Sequence, residues 1–242
     1  MPPPADIAHR YLQITRRIEE ACQRSGRHPR DVVLVGASKT QPAAVLAEAW
    51  RAGLRVFGEN RVQEALAKSR ELAGIAGIAE SDIDWHLIGP LQSNKVKPAL
   101  DLFRTVHSID RPRIAEALDR EAGRRNLRIS GLLEVNLGNE ESKHGFSPEG
   151  LAEAARPLAD LEHLKIVGLM AIPPQADDPE GSRPWFRRLR ELRDELGARP
   201  EWAGFPGWLS MGMSHDFEVA VRYGRGSTTW VRVGTAIFGE RA

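Results

Sequence analysis

The sequence predicts a single α/β domain over residues 1–242, built as a closed (β/α)₈ barrel with an additional N-terminal helix. Eight short apolar runs alternate with helix-like stretches, which is typical of a parallel sheet that is covered by helices. The length of 242 residues lies within the range of one such barrel. An open doubly wound sheet is the alternative, but the first run ends in GASKT and no Gly-rich nucleotide fingerprint follows it.

The first predicted element is an amphipathic helix that ends before Gly26, because Ile7, Ile14 and Cys22 belong to an apolar stripe with helical spacing. The eight predicted strands span 32–38, 55–58, 85–89, 105–108, 129–136, 165–172, 208–212 and 230–234. Predicted helices lie at 42–52, 61–72, 112–125, 148–159, 184–196 and 216–222, whereas residues 90–104 give no clear pattern. The Pro/Gly-rich segment 173–184 is interpreted as a surface loop, with a lid as the second interpretation.

Composition limits the classes of partner. The 34 Lys and Arg residues nearly balance the 33 Asp and Glu residues, so the net charge of +1 does not favour nucleic acid or an anionic membrane. No apolar stretch approaches the roughly 20 residues that cross a bilayer, and the N-terminal region does not resemble a signal peptide. The single cysteine excludes an intramolecular disulfide. We therefore expect a cytoplasmic protein.

Candidate functional residues follow from the barrel itself, since active sites of this fold lie at the C-terminal ends of the strands. Lys39 comes directly after the first predicted strand. An amine at that position is close to the barrel mouth, where desolvation lowers its pKa and allows it to form a Schiff base. The other interpretation is a lysine that extends to solvent from the strand end, and both remain open on position alone.

The loops after the seventh and eighth predicted strands read LSMGMSHD and VRVGTAIFG, and both place glycine beside a hydroxyl. Gly212, Ser214, Gly234 and Thr235 could supply donors to one phosphate, although ordinary tight turns would use the same residue types. The histidines form no HxxxH pair, so we expect no metal site. A lysine together with phosphate donors favours a phosphorylated aldehyde, and pyridoxal phosphate fits that description.

The chain also resembles a known family, the YggS/PROSC-type pyridoxal phosphate homeostasis proteins. The resemblance covers nearly the whole chain and lies in VGASKT, FGENRVQE, WHLIGPLQSNKVK, VHSID, EVNLGNEESKHGF, GLMAI, LSMGMSHDFEVAV and VRVGTAIFGER. It implies a barrel of pyridoxal-phosphate fold type III, similar to the N-terminal domain of alanine racemase. It also implies these cofactor contacts: Lys39 as a covalent imine, Asn60 and Ile88 along the pocket, Ser210, Gly234 and Thr235 on the phosphate, and Arg232 near the pyridine nitrogen.

The function implied by the resemblance is to bind, buffer and deliver pyridoxal phosphate, without catalytic turnover and as a monomer. Apo forms of pyridoxal-phosphate-dependent enzymes would be the recipients. The alternative is a pyridoxal-phosphate-dependent amino-acid racemase, which needs acid/base groups on both faces of the substrate. Related racemases take a tyrosine from an added domain, whereas Tyr11 and Tyr223 of this chain do not follow a predicted strand.

Two further features concern individual segments. The residues RYGRGSTTW at 222–230 contain about three more residues than the family usually has between the last helix and the last strand. Because this turn precedes the strand, we expect the phosphate loop to be unaffected. Lys143, in NEESKHG after the fifth predicted strand, is either a residue that helps transfer the cofactor or a surface lysine paired with a neighbouring glutamate.

Overall fold

A computed structural model describes residues 6–140, 144–174 and 176–239. It contains a closed barrel of parallel strands that pair in chain order, with the last strand returning to the first. The strands are β1 (Val32–Ala37), β2 (Val56–Glu59), β3 (Asp84–Leu87), β4 (Thr105–Ile109), β5 (Ile129–Glu134), β6 (Leu164–Met170), β7 (Trp208–Ser210) and β8 (Thr229–Val233). The predicted (β/α)₈ barrel is therefore confirmed.

Helices cover the outside of the barrel. They are α1 (Ile7–Ser25), α2 (Ala43–Arg51), α3 (Val62–Ala76), α4 (Val96–Ala99), α5 (Pro112–Arg124), α6 (Leu151–Ala155), α7 (Arg183–Gly197), α8 (Phe217–Tyr223) and α9 (Thr235–Phe238). The additional helix α1 begins where the Asp6 side chain accepts a hydrogen bond from the His9 amide at 2.7 Å. It ends at Gly26, whose φ of 65° is the left-handed conformation that glycine adopts readily.

Three segments between the strands contain only short helices. Residues 90–104 contain a 3₁₀ turn, Ser93–Lys95, that leads into α4. The predicted helix 148–159 is shorter than expected, since α6 covers five residues and a 3₁₀ turn, Arg156–Leu158, completes it. The loop 173–184 ends in a 3₁₀ turn, Pro179–Ser182, before α7 begins.

The turn at 222–230 lies between α8 and β8, as its position before the last strand indicates. A Cβ atom built on Gly224 would lie 1.9 Å from Thr229 Oγ1, so a larger residue does not fit there without rearrangement. Arg27 bridges the turn from the end of α1, because its guanidinium donates to the Val221 and Ser227 carbonyls. This turn thus lies at the N-terminal end of the barrel, away from the mouth.

Strand alternation separates two apolar layers. Val231 and Val233 point outward into the main core between strands and helices, which also buries Cys22 of α1. Trp230 points inward and packs with Val35, Leu132, Val167 and Met170 in a smaller cluster inside the barrel. The interior of the barrel is therefore packed, and open space is found at the C-terminal ends of the strands.

Within the described residues, no helix is both long and apolar enough to cross a membrane.

Candidate functional site

A cavity of about 600 Å³ opens at the C-terminal ends of β1, β6, β7 and β8. Four of the predicted site residues line it together: Lys39, Arg232, Gly234 and Thr235. The rest of the lining comes from the end of β1 and from the segments that follow the same strands: Ala37, Gln41, Ile172, Pro173, Pro174, Ala176, Ser182, Met213, Ser214, His215, Asp216 and Gly239. The loop 173–184, predicted at the surface, thus also contributes one side of this cavity.

Lys39 reaches the cavity because of its register on β1. Val35 packs inside the barrel and Ala37 lines the cavity, so Lys39 continues the inward-facing positions at a spacing of two. The residue after it, Thr40, has a φ of 67°, a left-handed conformation that is costly for a β-branched side chain. The chain therefore turns sharply after Lys39, and the lysine remains half-buried at the mouth.

A group of buried and half-buried polar residues, which we call the outer brace, holds the backbone on both sides of Lys39. The brace consists of Ser38, Glu59, Glu64 and Lys68, and it lies between β1, β2 and α3. Lys68 Nζ donates to the Ser38 carbonyl at 2.9 Å, to Glu59 Oε1 at 2.7 Å and to Glu64 Oε1 at 2.8 Å. Glu64 Oε1 also accepts from the Thr40 amide at 2.8 Å. Burial raises the pKa of Glu59, and Lys68 opposes that rise.

Arg232 is buried beneath the cavity and held by two hydrogen bonds. Its Nη1 donates to Ser210 Oγ at 2.6 Å and its Nη2 donates to the Ala171 carbonyl at 2.9 Å. Burial lowers the pKa of Arg232 to about 10, against the attraction of the Glu134 and Asp216 carboxylates. The guanidinium therefore keeps its charge at neutral pH. Burial also raises the pKa of Glu134 to about 7, with Asp110 adding to the rise and Arg232 opposing it.

The loops after β7 and β8 converge on one point at the cavity edge. Ser214 Oγ accepts from the Gly234 amide at 3.2 Å and from the Ala236 amide at 3.3 Å. Asp216 shapes the β7 loop, because its carboxylate accepts from the Met213 amide at 2.7 Å and from the Ser182 hydroxyl at 2.6 Å. A hydroxyl and two amides from adjacent strand ends thus meet where a single oxygen acceptor can be held.

Ser210 occupies a different place from Ser214, although both were candidates for phosphate contact. Its side chain is fully buried inside the barrel, and its Oγ contacts His107 Nδ1 at 2.7 Å as well as Arg232. Its contact with Arg232 uses an acceptor position, because arginine can only donate. The structure therefore brings Ser210 next to the Arg232 guanidinium rather than into the loop where Ser214, Gly234 and Thr235 meet.

Asn60 and Ile88 lie toward β2 and β3. Ile88 is buried, and a Cβ atom built on Gly58 would lie 2.8 Å from its Cδ1, so it packs against the inner face of β2. Asn60 lines a second cavity of about 890 Å³, formed by the loops after β2, β3 and β4. The two residues are therefore on the neighbouring side of the mouth and do not line the first cavity.

Sequence reasoning missed two kinds of residue. Lys68 lies on a helix rich in charged residues, where its i, i+4 spacing from Glu64 indicates an exposed ion pair and not a buried one. His86 and His107 form no motif in the sequence, yet their rings meet inside the barrel, where His86 Nδ1 lies 2.9 Å from His107 Nε2. Strand alternation places both on the inward face, and that was the available signal.

Two predictions remain, one on Lys143 and one on metal binding. Lys143 lies outside the described residues, so its role stays a prediction. Among the residues that the structure describes, no group of His, Cys, Asp or Glu side chains is arranged to hold a metal ion.

Fold and site together define a class of barrel, and comparison with known families gives the same class. The family model described as "Alanine racemase, N-terminal domain" matches residues 11–242. That match extends from within α1 to the end of the chain, so it includes all eight strands and the lining of the cavity.

Relatives identify the particular family within that class. The "Pyridoxal phosphate homeostasis protein" of Aquifex aeolicus is 46% identical over 98% of this chain and 99% of its own length. The protein of the same name from Pseudomonas aeruginosa is 45% identical, over 97% of this chain and 96% of its own. The structure of PipY from Synechococcus elongatus with pyridoxal phosphate bound is 38% identical, with a TM-score of 0.78, and covers 92% of this chain and 100% of that one. This chain belongs to the pyridoxal phosphate homeostasis protein family.

Proposed function

We propose that this protein binds pyridoxal phosphate, buffers its free concentration and delivers it to apo-enzymes, without turnover of its own. The observation that carries the proposal is one cavity. Lys39, Arg232, the β7 loop with Ser214 and the β8 loop with Gly234 all meet there. Membership of the family supports it, as does the pyridoxal phosphate that PipY holds in a similar barrel.

The residues present fit the three chemical features of the cofactor. An amine suits its aldehyde, convergent hydroxyl and amide groups suit its phosphate, and a charged guanidinium can donate to its pyridine nitrogen. The cavity of about 600 Å³ lies within the usual range for small-molecule sites. When bound, pyridoxal phosphate supplies an electrophilic aldehyde and a ring that can accept electrons.

Lys39 is the residue that holds the aldehyde in this proposal. Its amine adds to the aldehyde carbon and water leaves, so that a C=N bond replaces the C=O bond and no redox partner is needed. The outer brace fixes the backbone before and after Lys39, which limits the positions that its amine can reach. This covalent imine is reversible by hydrolysis, as a carrier requires.

The phosphate is assigned to Ser214, Gly234 and Thr235. Ser214 now accepts from two loop amides, so a bound phosphate oxygen can take those donors and receive the hydroxyl as well. Ser210 acts on the cofactor through Arg232, because its own hydroxyl lies between that arginine and His107. Asn60 and Ile88 lie on the β2 and β3 side of the mouth, outside the lining of this cavity, so their contact with the cofactor stays a prediction.

Arg232 supports a carrier over an enzyme in this proposal, although racemases with a similar arginine are active. A guanidinium that remains charged beside the pyridine nitrogen keeps that nitrogen unprotonated, which reduces the ability of the ring to stabilise a carbanion.

We also propose that residues 1–242 form one domain and that the protein is a cytoplasmic monomer. A carrier with an open barrel mouth is accessible to recipient enzymes without a partner subunit.

The covalent part of the proposal is tested by borohydride reduction followed by peptide mapping. Wild-type protein loaded with pyridoxal phosphate is expected to carry the reduced adduct on Lys39, and Lys39→Ala is expected to lose both the adduct and the yellow colour. Lys97→Ala, at an exposed helix position, is the matched control and should keep both. A reduced adduct on another lysine in Lys39→Ala would overturn the assignment.

The phosphate assignment is tested by comparing pyridoxal phosphate with pyridoxal. Ser214→Ala is expected to weaken binding of the phosphate form by roughly tenfold and to leave pyridoxal unchanged, as one charge-assisted hydrogen bond is lost. Ser210→Ala should weaken both forms alike. If Ser210→Ala instead affects the phosphate form alone, its hydroxyl contacts the phosphate directly.

Delivery is tested with a loaded carrier and the apo form of a pyridoxal-phosphate-dependent enzyme. In the presence of a trap for free cofactor, the wild-type carrier is expected to restore activity of the recipient, whereas an equal amount of free pyridoxal phosphate is not. Restoration that the trap abolishes would mean that the protein releases its cofactor to solution only.

The racemase alternative rests on one observation, the presence of His215 in the cavity lining. A histidine there has the right chemistry for a second acid/base group, whereas Tyr11 and Tyr223 pack against the outer core. We expect no exchange of the α-hydrogen of common amino acids in deuterated water. Exchange with inversion that His215→Ala abolishes would support the racemase in place of the carrier.

A further inference from the structure

A line of hydrogen bonds crosses the inside of the barrel, from its N-terminal end to the cavity. Asp84 Oδ2 lies 3.1 Å from His86 Nε2, and His86 Nδ1 lies 2.9 Å from His107 Nε2. The line continues to Ser210 Oγ and Arg232 Nη1 at 2.7 Å and 2.6 Å. These residues come from β3, β4, β7 and β8, and we call them the inner chain.

If each imidazole carries one hydrogen, the Asp84 carboxylate at one end fixes the direction of every bond in the inner chain. Arginine can only donate, so Ser210 accepts from Arg232, and its own hydrogen is then available to His107 Nδ1. His107 must then carry its hydrogen on Nε2 and donate to His86 Nδ1. His86 likewise carries its hydrogen on Nε2 and donates to Asp84, whose ionised carboxylate can only accept. With singly protonated rings, this is the arrangement that satisfies all four contacts.

The surroundings of His107 support this arrangement. His107 is fully buried, and burial together with the nearby His86 and Arg232 holds its pKa well below the usual value. Trp230 packs on both rings, with centroid distances of 4.7 Å to His107 and 5.0 Å to His86. A neutral, singly protonated His107 is what this direction of the chain requires. At the other end, the Asp84 side chain is 57% exposed, so the chain ends in solvent.

We infer that His107 and His86 are positioning residues that act through Ser210 to fix the orientation of the Arg232 guanidinium beneath the cavity. Two of its N–H groups are directed to Ser210 and to the Ala171 carbonyl, and the guanidinium forms part of the cavity lining. The effect on a bound cofactor rests on the proposed function, because Arg232 faces the pyridine nitrogen only if pyridoxal phosphate is the ligand. The arrangement of the inner chain itself does not depend on the proposed function.

The first test measures the tautomers directly in protein without cofactor. Two-bond ¹⁵N–¹H NMR spectra are expected to show His86 and His107 with a bare Nδ1 and a protonated Nε2, and signals lost in His86→Asn and His107→Asn assign the two rings. A hydrogen on Nδ1 of His107 would reverse the chain and overturn the inference. This measurement does not depend on whether the protein binds pyridoxal phosphate.

The second test separates positioning from space filling. His107→Asn keeps an acceptor near the Nδ1 position, whereas His107→Leu removes it and leaves the Ser210 hydrogen undirected. Because Arg232 then loses its fixed orientation, we expect His107→Leu to weaken pyridoxal phosphate binding about tenfold and to shift the pH midpoint of the visible absorbance. His107→Asn should stay within about threefold of wild type.

Equal effects of the two substitutions, with both variants folded by circular dichroism, would contradict positioning. If wild-type protein does not bind pyridoxal phosphate at all, the proposed function fails, while the NMR result still decides the inner chain. If wild type binds and neither variant changes affinity or spectrum, the function stands and the inference is overturned.

Discussion

Two buried polar networks support the cavity, and they are built from different chemistry. The outer brace lies between the barrel wall and α3 and centres on a charged pair, Lys68 with Glu59. The inner chain lies inside the barrel and passes through two imidazoles, of which fully buried His107 is kept neutral. The brace holds the backbone around Lys39, and the chain holds the side chain of Arg232.

The difference follows from how many partners each environment supplies. Outside the strands, a helix and two strand ends provide three oxygen atoms for the Lys68 ammonium, which has three donors. Inside the barrel, the neighbours are apolar residues such as Val35, Leu132 and Trp230. Neutral imidazoles can both donate and accept there without the desolvation cost of a charge. A full charge is retained at Arg232, next to the cavity, and at Asp84, whose side chain is 57% exposed at the other end.

The largest effect is expected when the brace loses one charge. Lys68→Met leaves Glu59 buried without its partner, and breaking a buried pair in this way typically costs about 3–5 kcal/mol in the free energy of unfolding. Urea denaturation measures the change. Lys97→Met, at an exposed position, is the control and should remain within about 0.5 kcal/mol of wild type.

A loss below about 1 kcal/mol for Lys68→Met would mean that the brace behaves like a surface pair. The double variant Lys68→Met with Glu59→Gln distinguishes lost attraction from an isolated buried charge. Because the glutamine carries no charge, the double variant should recover part of the stability that the single variant loses.

Glu134 gives the second prediction, since its pKa of about 7 lies above the ordinary value of 4.5. The folded state binds the proton more tightly, so the stability from this group is present below pH 4.5 and is lost as the pH rises to about 7. The shift corresponds to at most about 3 kcal/mol. Glu134→Gln should therefore unfold at higher urea concentration than wild type at pH 8, and the difference should shrink toward pH 5.

Glu162→Gln is the matched control, because the Glu162 side chain is 85% exposed. It should leave the pH dependence of unfolding unchanged. If Glu134→Gln and wild type lose stability in parallel between pH 5 and pH 8, then Glu134 is already ionised in the folded protein at the lower pH.

The barrel itself was accessible from the sequence, whereas these networks were not. Apolar runs and Gly or Pro punctuation locate the strands, and register alone puts Lys39 at the mouth. The contact between His107 and Ser210 joins residues 103 positions apart on opposite sides of the barrel, which no local pattern encodes. The brace joins Lys68 to Glu59 and the Ser38 carbonyl, so its burial depends on how α3 packs over two strands.

The third prediction concerns the inner chain and has the opposite sign from Glu134. The pKa of His107 lies well below 6.5, so its stability contribution is present above pH 6.5 and is lost as the pH falls toward the folded value. One such group gives a slope of about 1.4 kcal/mol per pH unit. In His107→Asn, the decrease in unfolding free energy from pH 6.5 to pH 5 should be smaller than in wild type.

The informative quantity is the slope, because the asparagine also changes packing and shifts the stability at every pH. His9→Asn removes a histidine at the solvent-exposed surface and serves as control. Identical slopes in wild type and His107→Asn would show that His107 titrates normally, and the inner chain would then not be held neutral.

The smallest effect is expected at Thr40, where the brace meets the turn after Lys39. A left-handed φ of 67° costs an ordinary residue about 1–2 kcal/mol, and the Glu64 carboxylate holds the Thr40 amide in this conformation. Asparagine tolerates that conformation better and avoids the chain entropy that glycine would add. Thr40→Asn should therefore raise the free energy of unfolding by up to about 1 kcal/mol, measured in urea, without altering pyridoxal phosphate binding.

A loss of stability in Thr40→Asn would mean that the threonine side chain makes a contact that outweighs its backbone strain. Unchanged stability but weaker binding would mean that the strained turn itself places Lys39, and the brace would then act on the lysine through that strain.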